Sequence, residues 1–94
     1  MATPEELLER VTDRDSFIAF VRALAEEREV AAEIERANPK AYSVDGAHNW
    51  KNGTIEDFLY AALDYFEPGR YHQPISDPSW RVFAEILWCG KIIE

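Results

Sequence analysis

Thr54-Ile55-Glu56-Asp57-Phe58-Leu59-Tyr60-Ala61-Ala62-Leu63-Asp64-Tyr65-Phe66-Glu67 decides the fold class. Asn52-Gly53 ahead of it is a turn signal, Thr54 is a side-chain cap, and Glu56 and Asp57 occupy the first turn, where the helix dipole favours negative charge. Ile55, Phe58, Leu59, Ala62 and Phe66 recur at helical spacing and predict the inward stripe, with Leu63 and Tyr65 flanking it. Pro68-Gly69 ends the segment.

The same punctuation recurs on either side. Thr3 caps a short helix that opens on Pro4 and packs through Leu7, Leu8 and Val11. A second helix begins near Thr12 or Asp13, with Phe17, Phe20, Val21 and Leu24 on one face. After Leu24 the pattern weakens through Glu26-Glu27-Arg28-Glu29. Either one helix continues to about Ala37 or it breaks near Glu29; Asn38-Pro39 stops it in both cases. Asp77-Pro78 is read as the start of the last helix. There Phe83, Ile86, Leu87 and Gly90 predict a core side, and Trp80, Ala84, Trp88 and Ile92 a second apolar strip. The expectation is a single all-α domain over 1–94, four helices in an orthogonal or bundle-like arrangement. Asp45-Gly46 is able to turn a short hairpin in the 38–53 connection.

Composition narrows the function classes. Eighteen acidic residues against ten basic give a formal charge of −8, which disfavours nucleic acid and anionic membranes and permits a basic protein partner. Apolar runs are too short for a membrane span, and the first residues lack the basic and apolar regions of a signal peptide. One cysteine, Cys89, allows no internal disulfide and suits a reducing cytoplasm.

Chemistry-bearing motifs are sparse. His48 and His72 stand in separate loops without ligand spacing, so neither metal nor cofactor is expected. Asp45, His48 and His72 form the best catalytic set the sequence offers, and only if two loops meet; the expectation is a non-enzyme. Cys89 has no activating neighbour and reads as a core residue. Binding is the better-supported class. Helix 54–67 carries four acidic residues and no basic one, with Tyr60 between Asp57 and Asp64 on one face. Tyr60 is the expected anchor and Asp57 and Asp64 the steering charges, with Tyr42 and Trp50 at the edge and Trp88 as a further available aromatic. The alternative is a homodimer through Trp80, Ala84, Trp88 and Ile92.

Three segments carry a resemblance: Ser16 to Leu24, Trp50 to Leu59, and Pro78 to Leu87 with Lys91-Ile92-Ile93-Glu94. In these the chain resembles a family of small uncharacterised acidic bacterial proteins. The shared residues are mostly packing and capping residues, so the resemblance implies a fold and brings no catalytic residues. Segment 29–49 departs from the shorter link expected there, so no shared partner is carried over. Size and acidity are similar to those of immunity proteins, which cover a basic toxin.

Overall fold

The computed structural model describes residues 2–66 and 77–93. Its helices are α1 (Pro4–Glu9), α2 (Arg14–Ala37), α3 (Ile55–Leu63) and α4 (Trp80–Ile92), with a 3₁₀ turn at Ala47–Asn49. No strand occurs among the described residues, and the fold is all-α.

Each helix starts on a side-chain cap. Thr3 and Glu6 form a capping box on α1, and Asp13 and Ser16 form one on α2. The Thr54 hydroxyl accepts from the Asp57 N–H of α3 at 3.2 Å. In α4 the cap is Ser79, which accepts from the Val82 N–H at 3.0 Å. The expected Asp77-Pro78 start is therefore two residues early: Ser79 is the cap, and Asp77 and Pro78 lie outside the helix.

α2 is one unbroken helix of 24 residues. Its second half meets the core through Ala31 and Ile34, and Glu35 ties it to the following loop. The Arg28 Nη2 donates to Glu35 Oε1 at 2.6 Å, and Glu35 Oε2 accepts from the Ala47 N–H at 2.9 Å. That loop is no hairpin. His48 and Asn49 take left-handed backbone angles (φ 54° and 64°), a conformation that His and Asn tolerate better than most residues. The turn they make carries Trp50 into the interior, where it is 4% exposed. Gly46 donates its N–H to the Trp50 carbonyl at 2.8 Å, and a Cβ there would lie 2.6 Å from both that oxygen and Glu35 Oε2.

α1 lies on α2 and α4, while α3 packs chiefly on α4. The main core joins Leu8, Val11, Phe20, Leu24, Ala31, Trp50 and Ala84; a second cluster joins Ala61, Tyr65, Cys89 and Ile93. The inward side of α4 is broader than the expected one: Gly90 is buried and Ile86 and Leu87 pack on the core as predicted, and Ala84 joins them. Ala84 is fully buried at the close approach of the helices, so Trp88 and Ile92 follow it to half-buried positions. Of the strip expected to be open for a homodimer, Trp80 is 39% exposed, Trp88 and Ile92 are half-buried and Ala84 is buried. Phe83, expected in the core, is 41% exposed and rests at the rim against Phe17 and Trp80, with ring centroids 6.5 and 5.9 Å away.

Candidate functional site

The crossing of α3 and α4 decides which face of α3 is free. Gly90 of α4 sits against the Phe58 ring so closely that a Cβ would come within 2.6 Å of it. Ala61 and Tyr65 cluster with Cys89 of α4 and Ile93, and Ala62 is buried too. Helices approach most closely where side chains are smallest, so α3 turns its Phe58, Ala61, Ala62 and Tyr65 edge inward. The predicted inward stripe is therefore right for Phe58, Ala62 and the flanking Tyr65 and corrected for the rest. Ile55 is 79% exposed, Leu59 57%, Leu63 48% and Phe66 57%. At about 100° per residue, Ile55, Leu59 and Leu63 lie within roughly 80° of one another. They form one apolar ridge in water.

Beside the ridge runs a polar strip. Glu56 and Asp57 are exposed, Tyr60 is 72% exposed and Asp64 is half-buried. The structure thus brings Asp57, Tyr60 and Asp64 together, as the sequence predicts. The other three candidates belong elsewhere. Tyr42 and Trp88 are half-buried against the main core. Trp50, expected at the edge of the interface, is corrected to a core residue, because the left-handed turn ahead of it aims the indole inward.

Sequence reasoning missed the polar group around that indole. Glu27 Oε1 accepts from the Trp50 Nε1 at 2.9 Å and from the Lys91 Nζ at 2.5 Å. Lys91 is only 4% exposed, and its ammonium lies 4.9 Å from the centre of the Trp88 ring and 5.6 Å from that of Trp50. Asn52 donates to the Gly90 and Ile93 carbonyls at 2.8 and 2.6 Å. The 50–52 segment is thereby fastened to the end of α4, which fixes where α3 begins. Sixty-four residues separate Glu27 from Lys91, so no local pattern announces the pair.

Elsewhere the described residues offer little chemistry. His48 is exposed on the 3₁₀ turn, and Asp45 pairs with Lys51 at 3.1 Å. His72 lies outside the described residues. Burial pushes the Cys89 thiol above its ordinary pKa, with Glu85 and Asp64 adding to the effect, so it is poorly suited to nucleophilic attack. Among the described residues no group of three His, Cys, Asp or Glu is placed to hold a metal ion, and no helix is long and apolar enough to cross a membrane.

No curated protein and no solved structure matches the chain. A family model does, over residues 13–94, which takes in α2, α3 and α4. The chain belongs to that family, described as a family of unknown function (DUF7660).

Proposed function

We propose that this domain is a protein-binding module that takes a basic partner on the outward face of α3, in the manner of an immunity or inhibitor protein. The observation that carries the reading is the ridge of Ile55, Leu59 and Leu63 on α3, with Phe66 just beyond its end, at 48–79% exposure. Contiguous apolar surface of this kind marks interaction sites. The acidic strip beside it selects the partner's sign. Asp57 and Asp64 would steer a cationic surface, and Tyr60 would anchor it. A second copy of the chain suits the ridge less well, because each copy carries a formal charge of −8. The lone, poorly reactive cysteine and the family resemblance support a bacterial, cytoplasmic setting.

The test begins with affinity capture from the host and purification of the captured protein. Tyr60→Ala should speed its dissociation, and Asp57→Lys with Asp64→Lys should slow its association and flatten the salt dependence. An acidic partner, or unchanged binding by these variants, would overturn the proposal.

A further inference from the structure

Asn52 and Gly53 lie in the short stretch without regular structure that leads into α3. An asparagine followed by glycine readily loses its side-chain amide, because no Cβ on the second residue hinders its backbone nitrogen from reaching the asparagine Cγ. Gly53 has that freedom in full: it is exposed, and nothing lies within 4 Å of where a Cβ would stand. Asn52 is held fast. It is 9% exposed, and its Nδ2 donates to the Gly90 carbonyl at 2.8 Å and to the Ile93 carbonyl at 2.6 Å. The Lys51 N–H beside it donates to the Lys91 carbonyl at 2.9 Å. Gly90 and Lys91 stand in the last turn of α4, where carbonyls have no partner within the helix, so residues 51 and 52 cap its C-terminus.

We infer that Asn52-Gly53 is a self-modification site that docking on α4 holds shut. In the docked chain Asn52 Nδ2 is committed to two carbonyls, and Cγ reaches the Gly53 nitrogen only after the side chain leaves them. Once residues 50–52 lift from α4, the Gly53 nitrogen attacks Asn52 Cγ. The new N–Cγ bond closes a cyclic imide, the Cγ–Nδ2 bond breaks, and ammonia leaves with the proton from the Gly53 N–H. Water then opens the imide at either carbonyl, giving aspartate or isoaspartate. Neither product fits the docked position. A carboxylate offers no hydrogen to the Gly90 and Ile93 carbonyls, and it brings negative charge to the negative end of the α4 dipole. Lys91 is no ready counter-ion, since its ammonium is held by Glu27. Isoaspartate also adds a main-chain methylene ahead of Thr54, the cap of α3. The reaction thus turns a transient opening of the α3–α4 junction into a permanent one.

The parent is kept in mildly alkaline buffer, with and without guanidinium chloride above its unfolding midpoint, and deamidation at Asn52 is followed by peptide mass spectrometry. Asn49, exposed and followed by Trp50, is the reference within the same chain. The expected result is fast loss of the Asn52 amide in denaturant and loss about tenfold or more slower in the folded protein, with Asn49 slow in both. Gly53→Ala should keep the parent's unfolding midpoint, because its Cβ meets nothing, and should react slowly in denaturant. Equal rates at Asn52 in the two conditions would overturn the guard. An Asn52 that reacts in denaturant no faster than Asn49, or than in Gly53→Ala, would overturn the reactive pair. For the product, Asn52→Asp should unfold at lower denaturant than Asn52→Ala, which removes the donors and adds no charge. An Asn52→Asp midpoint at or above that of Asn52→Ala would overturn the exclusion of the product. The rate comparison needs the parent alone, so it decides the proposal even where these two variants do not fold.

Discussion

Replacing Lys91 by Met isolates the buried polar group that positions α3. Methionine keeps much of the aliphatic length, so packing against Trp50 and Trp88 changes little. What is lost is the charge. Glu27 then retains one donor, the Trp50 Nε1 at 2.9 Å, in place of two. Breaking a buried ion pair from one side costs about 3–5 kcal/mol when the remaining charge is sealed from water. Glu27 keeps 20% of its side-chain exposure, so water relieves part of that cost. We expect about 2–3 kcal/mol, which in a domain of this size lowers Tm by about 10–20 °C. The double variant Glu27→Gln/Lys91→Met should recover most of the loss, because a neutral amide oxygen still accepts from Trp50 and no charge is stranded. Urea unfolding followed by tryptophan fluorescence and far-ultraviolet circular dichroism gives the four stabilities of the cycle. A Lys91→Met protein within about 0.5 kcal/mol of the parent would refute the reasoning, as would a double variant no better than the single one.

Phe20→Ala should cost about 3–5 kcal/mol, since Phe20 is fully buried, whereas Phe83→Ala should cost only about 1–2 kcal/mol; equal urea midpoints would contradict the orientation of α4. Acid should destabilise the domain through two carboxyls held below their ordinary pKa. Asp13 is lowered by the Ser16 N–H and hydroxyl; burial raises Glu35, but bonds from Arg28 and the Ala47 N–H outweigh it. A depressed carboxyl stabilises the fold fully above its unfolded pKa and loses that contribution as pH falls through the folded value. Stability should therefore drop below about pH 4, with a shallower drop in Asp13→Asn and Glu35→Gln, measured as urea midpoint against pH. Cys89 should react with a thiol reagent at neutral pH far more slowly than a model thiol, and at the model rate in urea.

Helix number, helix caps and the all-α class were legible because they are local. Thr3, Asp13 and Thr54 announce themselves within four residues of the donors they satisfy. Facing is a tertiary property, and it was legible in part: Leu8, Val11, Phe20, Leu24, Phe58 and Ala62 face inward as read. On α3 the periodicity of Ile55, Leu59 and Phe66 was read correctly as a stripe and assigned to the wrong side. Phe58 and Ala62 of that stripe do face inward, joined by Ala61, which is too small to signal burial by hydropathy, and Gly90 packs against Phe58. The hairpin expectation at Asp45-Gly46 failed for a similar reason: burial of Trp50 and its bond to Glu27, not turn chemistry, governs the loop. Of the candidate site, Asp57, Tyr60 and Asp64 were readable from helical spacing alone.

The claim that α3 is a binding face rests on its ridge being open for use and not for folding. The most direct measurement is the affinity of the purified partner for Leu59→Gln/Leu63→Gln, taken beside the urea midpoint of the same protein. Both leucines are already about half exposed, so we predict a midpoint close to the parent's and an affinity lower by about a hundredfold. Parental affinity in a folded variant would contradict the account.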